Sequence, residues 1–131
     1  MLSQEGKPVS IFGENSIIQK AAFLYKGNFL VADGGNNFIK VFDQSGKFLY
    51  KSGKRGNKDG QFNFPCGALL DSSNNLLVCD GNNNRVQQFS LDGRFTDKTI
   101  TDLPGPVGIA TAPDGLILAT SYSAKNVYVL K

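Results

Sequence analysis

The sequence contains no histidine among its 131 residues. This absence excludes the Ser/His/Asp and Cys/His arrangements of nucleophilic catalysis, and it removes the commonest side-chain ligand of transition metals. Paired acids such as Asp59 and Asp71 remain as candidate catalytic groups, but scattered surface charge explains them equally well. We therefore predict a protein that is not an enzyme and that uses no cofactor and no metal.

Long apolar runs are absent too, because the longest, residues 21–25 and 76–79, are far too short to span a bilayer. Residues 1–8 lack the apolar segment of a secretory signal. Two cysteines are too few to staple a small secreted domain. We expect a cytoplasmic protein without a membrane anchor.

The two cysteines, Cys66 and Cys79, fall on strands that we predict to be neighbours. If the turn at 71–76 pairs these strands antiparallel, Ala68 lies opposite Cys79 and Cys66 lies one pair further along. A diagonal Cα separation of about 7–8 Å is too long for a disulfide without backbone movement. Both cysteines are predicted to be thiols of the core.

Charge is sparse and nearly balanced, since 14 basic and 11 acidic residues give a formal net charge of +3. A hydrophobic fraction of 40% in 131 residues is typical of one folded domain, which we place at residues 1–131. This charge permits an anionic partner without requiring one.

An internal repeat determines the predicted fold. Residues 26–48 and 73–95, related by a shift of 47, share ten identities in 23 positions. A third, degraded copy begins at residue 114 and places Thr120 40 residues after Asp80. Spacings of 40 and 47 are close to the length of one blade of a β-propeller.

Each copy is predicted to form strands. The short apolar runs at 29–33, 76–80 and 116–120 are typical of strands buried on both faces, and a turn rich in Gly and Asn follows the first two. We predict antiparallel four-stranded blades at 17–52 and 64–100, and a blade at 106–131 that lacks its outer strand. Residues 6–13 match 46–53 in register, so they are predicted to be an additional outer strand. The predicted fold class is an all-β arrangement of three propeller blades.

Two stretches carry a resemblance to a known family. Val31-Ala-Asp-Gly-Gly-Asn-Asn37, and Asp59-Gly-Gln-Phe-Asn-Phe-Pro-Cys-Gly67 leading into Leu76-Leu-Val-Cys-Asp-Gly-Asn-Asn-Asn-Arg-Val86, resemble NHL repeats. They are most similar to the NHL propellers of tripartite-motif ubiquitin ligases. That resemblance implies a six-bladed ring of which this chain holds about half, RNA or protein partners, and a RING domain outside these residues.

Half a ring leaves exposed blade faces and a strand edge. Three arrangements remain open: a fragment of a longer chain, a homodimer that closes a six-bladed ring, or a stand-alone arc. In the homodimer, residues 6–13 of one chain would pair with the strand 126–131 of its partner.

Asp33 and Asp80 end two of the buried strands immediately before the turns. We interpret them as structural turn residues whose carboxylates accept hydrogen bonds from backbone N–H groups. A calcium loop starting at Asp80 is the alternative, but Arg85 stands where such a loop needs glycine and no Glu follows at the right distance.

Basic residues are concentrated between positions 47 and 58, where no acid occurs. In a propeller, the loop after the outer strand and the turns at 34–38 and 81–85 open on one rim. Cations, asparagines and an exposed Phe38 would suit single-stranded RNA or a protein partner, whereas a merely solvated loop is the alternative. A metal-dependent lyase or hydrolase is a further, weaker alternative. The predicted binding residues are Asn36, Asn37, Phe38, Lys51, Lys54, Arg55, Lys58, Asn83, Asn84, Arg85, Tyr122 and Lys125.

Overall fold

The computed structural model describes residues 21–25, 27–90 and 93–130, with 21–25 described by their backbone alone. The strands are β1 (Ala21–Tyr25), β2 (Asn28–Asp33), β3 (Phe38–Phe42), β4 (Phe48–Ser52), β5 (Pro65–Leu70), β6 (Leu76–Asp80), β7 (Arg85–Phe89), β8 (Phe95–Ile100), β9 (Pro106–Thr111), β10 (Ile117–Ser121) and β11 (Val127–Leu130). One turn of 3₁₀ helix, Gly81–Asn83, joins β6 to β7. No helix in these described ranges is long and apolar enough to cross a bilayer.

The strands form three antiparallel sheets in chain order, which we call blades. Blade 1 is β1-β2-β3-β4, blade 2 is β5-β6-β7-β8 and blade 3 is β9-β10-β11. This arrangement confirms the predicted all-β blades. The predicted outer strand 6–13 and residues 17–20 of the first predicted strand lie outside the described residues, and the extent of the domain stays a prediction.

Hydrophobic cores hold neighbouring blades together. Between blades 1 and 2, side chains such as Leu30 and Val41 pack with Leu76, Val78 and Phe89. Between blades 2 and 3, a second cluster includes Leu77, Cys79, Val86, Ala119 and Leu130. Because side chains alternate along a strand, each face of blade 2 meets a different blade. The continuous burial of Leu76–Asp80 follows from this position.

The register between β5 and β6 differs by one residue from the predicted one. Gly67, not Ala68, lies opposite Cys79, because a five-residue turn closes with Asp71 N donating to the Asn75 carbonyl. A bulge between Pro65 and Gly67 leaves Cys66 out of the pairing. Both cysteines are free and buried, as predicted for core thiols.

The third copy of the repeat is longer than the sequence comparison suggested. Ser121 closes its turn by donating its N–H to the Asn126 carbonyl, five residues on, as Asp80 pairs with Arg85 five residues on. The position of Asp80 is therefore taken by Ser121, and Thr120 takes that of Cys79. The predicted spacing of 40 was wrong, because the pairing of β10 with β11 makes Ser121, and not Thr120, the equivalent of Asp80.

Candidate functional site

One end of the blades, which we call the rim, brings together the segments that the sequence predicted to share a surface. The rim loop, residues 53–64, runs from β4 to β5. Its Phe64 N–H donates to Asn37 Oδ1 at 2.8 Å, and its Asn63 N–H donates to Asp80 Oδ1 at 2.7 Å. The turns of blades 1 and 2 and the rim loop therefore lie at the same end of the molecule, as predicted.

A buried polar network lies beneath the rim loop. Asp80 is fully buried, and its Oδ2 accepts from Arg85 Nε at 2.8 Å and from Asn83 Nδ2 at 2.9 Å. Gln87 Nε2 approaches the same oxygen at 3.2 Å. A buried carboxylate needs this number of donors, since an uncompensated charge in the interior is costly.

The same network fixes the backbone of the rim loop. Arg85 Nη2 donates to the carbonyls of Lys58 and Gln61, each at 2.9 Å. Gln87 donates to the Gln61 carbonyl at 2.7 Å and accepts from the Gly60 N–H at 2.9 Å. Five hydrogen bonds to the loop backbone, counting that from Asn83 to the Gly56 carbonyl at 2.8 Å, hold the loop in one shape.

An aromatic anchor completes the rim loop. Phe62 is fully buried in the core between blades 1 and 2, and its ring packs at 5.3 Å from that of Phe89. The loop backbone passes so close to this ring that a Cβ on Gly53, where φ is +95°, would lie 2.5 Å from it. Glycine is required at this position both for its conformation and for the contact.

The side chains of Lys54, Arg55 and Lys58 project from the anchored loop and are exposed. Lys51 is also exposed, and its Nζ lies 4.1 Å from the centre of the Phe38 ring. Lys47 belongs to the turn between β3 and β4, at the opposite end of blade 1. The basic cluster on the rim therefore excludes Lys47.

Several predicted binding residues have structural roles instead. Arg85 is 8% exposed and its guanidinium holds the interior network, so it is not presented to a ligand. Phe38 is half-buried beneath Lys51 and is not the exposed ring that the sequence predicted. The amide of Asn83 points to Gly56 and Asp80.

Asn37 and Asn84 connect one blade to the next. Both adopt left-handed backbone conformations, with φ of 63° and 55°. Asn37 Oδ1 accepts from Phe64 N–H, and Asn84 Oδ1 accepts from Gly105 N–H at 2.9 Å. Lys125, with φ of 55°, is the third member of the series and is exposed.

Asp33 repeats the position of Asp80 with different partners. It is fully buried, and its Oδ2 accepts from Asn36 at 3.0 Å and from Lys40 at 2.9 Å. The donors to the Asp80 carboxylate are side chains and a rim-loop N–H, whereas the sequence suggested the N–H groups of the aspartate's own turn. No cluster of His, Cys, Asp and Glu suited to a metal occurs among the described residues.

A pocket of about 520 Å³ lies on the rim between blades 2 and 3. Asn82 lines the pocket and also donates to Asn63 in the rim loop, so that pocket and loop form one continuous surface. Tyr122, which is 80% exposed, also lines the pocket. Sequence reasoning identified Tyr122 and Asn84 but missed the rest, since only the packing of blades brings them together. The lining residues are Phe64, Cys66, Gly81, Asn82, Asn84, Gly105, Val107, Tyr122 and Ser123.

The thiol of Cys79, which lies close to this pocket, is chemically unreactive. Burial raises the pKa of Cys79 to about 12, and the neighbouring Cys66 adds to the effect. Cys66 Sγ lies 3.1 Å from the Pro106 carbonyl oxygen and so also serves the contact between blades. A thiol that stays protonated at neutral pH is a poor nucleophile.

Three antiparallel sheets packed side by side, with their turns on a shared rim, define about half of a β-propeller. A family described as a 6-bladed β-propeller, DUF5128, matches residues 15–117, and the chain belongs to this family. The narrower resemblance to NHL repeats stays a prediction. No curated protein matches the chain significantly.

Solved structures show the same fold. A protein of unknown function from Bacteroides caccae is 21% identical with a TM-score of 0.73, over 100% of this chain and 48% of that one. Virginiamycin B lyase from Staphylococcus aureus is 19% identical with a TM-score of 0.66, over 99% and 47% of the respective chains. The WD40 β-propeller domain of Doa1 is 20% identical with a TM-score of 0.75, over 97% and 41%. The chain thus spans about half the length of these structures, and the likeness concerns the fold alone.

Proposed function

We propose that the chain is a non-catalytic binding module that holds an extended segment of a partner protein across the rim. Acidic side chains of the segment contact Lys54, Arg55 and Lys58, and a large apolar side chain occupies the rim pocket. One observation carries the proposal: three exposed cations lie on a prebuilt loop whose last residue, Phe64, lines an uncharged pocket of about 520 Å³.

The fixed loop favours binding because little conformational entropy remains to be lost. Its backbone is already ordered by Arg85, Gln87 and Asn83. Ordering a flexible loop on binding costs free energy that a preformed loop does not. Charge complementarity at an exposed loop also speeds the encounter with an acidic partner.

The internal use of the polar rim residues favours a protein segment over RNA. Reading bases requires free amide and guanidinium groups, but Asn37, Asn83 and Arg85 are engaged within the molecule. The pocket lining is mainly apolar and backbone, with no charged side chain. Such a pocket suits an aromatic or aliphatic side chain.

The absence of histidine supports the non-catalytic part of the proposal. A solved virginiamycin B lyase in which alanine replaces a histidine is described as catalytically inactive. This chain contains no histidine, and it spans 47% of the length of that lyase.

Selection of peptides from a random displayed library tests the proposal. We expect the enriched peptides to combine Asp or Glu with a nearby aromatic or large aliphatic residue. The variant Lys54→Glu/Arg55→Glu should weaken binding of such a peptide by more than about tenfold, because it replaces two attractive contacts by repulsive ones.

A matched control comes from the opposite end of the blades. The variant Lys47→Glu/Arg94→Glu exchanges the same residue types and changes the net charge equally, at the turns after β3 and β7. An equal loss of binding in both double variants would show that only the net charge of the chain matters, and it would overturn the proposal. Peptides without acidic residues would also contradict it.

Single-stranded RNA is the second candidate, and the exposure of Tyr122 favours it. A ring that is 80% exposed on the rim, with the exposed Lys125 in the same turn, offers a stacking surface beside a cation. Filter binding of a pyrimidine homopolymer should then weaken steeply with salt and be lost in Tyr122→Ala. Retention that does not depend on salt, or none at low salt, would exclude this candidate.

The tripartite-motif resemblance gives the protein-binding proposal a specific form. The chain would be the substrate-recruiting part of a ubiquitin ligase whose RING lies outside these residues. Copurification of the rim-bound partner with ubiquitin-conjugating activity, lost in Lys54→Glu/Arg55→Glu, would support this form. Binding of the partner without ubiquitin-conjugating activity would support the protein-binding module and exclude the ligase role.

A further inference from the structure

The outer strand of blade 1, β4, presents an apolar stretch to solvent. Phe48, Leu49 and Tyr50 are consecutive and are 48%, 42% and 40% exposed. β4 is the last strand of its sheet, and no other described strand pairs with its outer edge. An exposed apolar edge strand is a template for pairing with a further strand.

The outer strand of blade 2, β8, is built differently. Its residues 96–98 are left out of the pairing with β7, and they include Asp97 with φ of 63° and the exposed Lys98. Charges and irregular backbone at an edge both discourage strand pairing. In β4, Leu49 alone is left out of the pairing with β3, and no residue has a positive φ. Of these two equivalent strands, β4 is therefore the one suited to pairing.

The outer edge of β4 does not depend on how many blades complete the ring. In a propeller, neighbouring blades pack on the two faces of a sheet, and the outermost strand of each blade lies at the circumference. A strand added to β4 extends blade 1 outwards and displaces no other blade. The edge is therefore available to a partner in a ring of any size.

Two lysines flank the apolar stretch and restrict which strand can pair with it. Lys47 and Lys51 are exposed, and no acid occurs in the sequence between Asp43 and Asp59. If two copies of β4 paired antiparallel about Leu49, Lys47 of each copy would face Lys51 of the other. Like charges directly opposite each other destabilise a strand pair. The edge therefore disfavours a second copy of this chain and suits a strand that carries acidic residues.

Contacts within blade 1 hold two of the exposed side chains in place. Phe48 packs edge-on against the buried Phe42, with the ring centres 5.7 Å apart. Lys51 Nζ lies 4.1 Å from the centre of the Phe38 ring. Side chains that are already ordered lose little conformational entropy when a partner binds.

We infer that β4 binds an extended segment of a partner protein, which adds to blade 1 as a fifth strand. The segment carries two acidic residues four positions apart, opposite Lys47 and Lys51, with apolar residues between them. Backbone hydrogen bonds along the edge supply affinity, and the two ion pairs determine the register. This surface is separate from the rim pocket, and the inference does not depend on binding across the rim.

A peptide titration of the isotope-labelled chain, followed by NMR, tests the inference. The probe is the synthetic peptide Ser-Glu-Val-Thr-Val-Glu-Ser, which lacks the aromatic or large aliphatic residue expected in the rim pocket. We expect the largest amide shifts at residues 47–52.

Methylation of backbone nitrogens in the peptide tests whether it pairs as a strand. In an antiparallel pair, alternate residues of the added strand direct their N–H groups to the same edge. One peptide is methylated at both Val residues, and another at Glu, Thr and Glu. One of these two peptides should bind at least about tenfold more weakly than the unmodified probe, and the other should bind nearly as well.

Lys51→Glu should weaken binding of the unmodified probe about three- to tenfold, because a repulsive contact replaces an attractive one. Lys98→Glu is the matched control, since Lys98 is also exposed, lies in the outer strand of blade 2 and gives the same change of net charge. It should weaken binding by less than about twofold. Because both lysines are exposed, both variants should fold, which circular dichroism checks.

Four results would overturn the inference. Equal binding of the two methylated peptides would exclude strand pairing, and equal weakening by Lys51→Glu and Lys98→Glu would leave only the net charge. Amide shifts confined to residues 54–58 and 122–123 would place the peptide on the rim instead. No binding at millimolar peptide would also contradict it, as would a dimer of the free chain that the peptide dissociates, since a second copy would then occupy the edge.

Discussion

The two junctions between blades are stabilised by different kinds of interaction. At the first, between blades 1 and 2, the long rim loop is held by a buried aspartate, an arginine and a glutamine, with Phe62 as its anchor. At the second, between blades 2 and 3, the short connection 101–105 is held by Leu103 and by a backbone contact at Asn84. The first junction is polar beneath its loop, and the second is predominantly apolar.

This difference explains the distribution of the rim features. The buried polar network allows a long loop to leave the core and return with its cations fixed outside. The short connection has no loop to cover the space between its turns, so the rim pocket remains open there. Repeated blades can therefore provide unlike surfaces on one rim when the connections between them differ.

Removing the carboxylate of the first junction should have the largest effect. Asp80→Ala leaves the Arg85 guanidinium buried without its counter-charge, and we expect a loss of about 3–5 kcal/mol in the free energy of unfolding. Urea denaturation measures the loss.

Asp114 provides the control for this experiment, because it is exposed and accepts only the local Leu116 N–H. Asp114→Asn should cost less than about 1 kcal/mol. If Asp80→Ala cost no more than this control, the polar junction would not depend on its charge pair.

Closing the space at the second junction should have the next largest effect. Gly67→Ala forces a Cβ against the Val107 carbonyl, a backbone atom that cannot rotate away, and we expect a loss of about 1–3 kcal/mol. Thermal unfolding compares Gly67→Ala with Gly108→Ala. Gly108 lies opposite Thr120 as Gly67 lies opposite Cys79, but no described blade covers it. Equal losses would show that blade contact is not what excludes the methyl group.

The apolar second junction should also respond to alkaline pH. The pKa of Cys79 in the folded protein is raised from 9.0 to about 12. The contribution of its neutral, buried thiol to the free energy of unfolding is therefore fully present below pH 9 and is lost as the pH rises towards 12. The loss amounts to about 1.4 kcal/mol for each pH unit above 9. Urea denaturation between pH 8 and 10 should show a steeper decline for the natural chain than for Cys79→Ala, and parallel declines would contradict this assignment.

The smallest effects concern the three left-handed turn residues. Asn37→Gly and Asn84→Gly retain the backbone conformation but remove one hydrogen bond to the next blade, and each should cost about 1 kcal/mol. Lys125→Gly removes no such bond to a described blade and relieves an unfavourable φ, so it should change stability by less than about 1 kcal/mol, in the stabilising direction. Thermal melting of the three variants separates the effect of the lost hydrogen bond from the effect of the backbone conformation. An equal loss of stability in all three variants would contradict the connecting role of Asn37 and Asn84.

The sequence was sufficient for the blades but not for the roles of the rim side chains. Strands such as Leu76–Asp80 and the turns after them can be predicted from the local sequence pattern. The same pattern predicts that the rim loop and these turns lie at the same end of the blades. Whether Arg85 faces solvent or the interior depends on Lys58 and Gln61, whose carbonyls reach it only through the fold of the loop. In the sequence, a basic residue in a turn has the same appearance whether its side chain faces solvent or the interior.

The third blade shows a different limit of sequence comparison. The turn of this blade keeps the hydrogen bond from Ser121 N–H to the Asn126 carbonyl, but its sequence no longer contains Asp-Gly-Asn. Alignment by residue type therefore placed the turn one residue too early. The rim pocket was missed for a related reason, since Phe64 and Val107 meet Tyr122 only after two blades have packed.

Hydrogen–deuterium exchange of the chain with a selected acidic peptide tests most directly that ligand binding uses both junctions of the rim. The account predicts new protection in residues 54–58 of the rim loop and in the pocket segments 81–84, 105–107 and 122–123. Protection confined to the opposite turns, residues 43–47 and 71–75, or to only one of the two junctions, would contradict it.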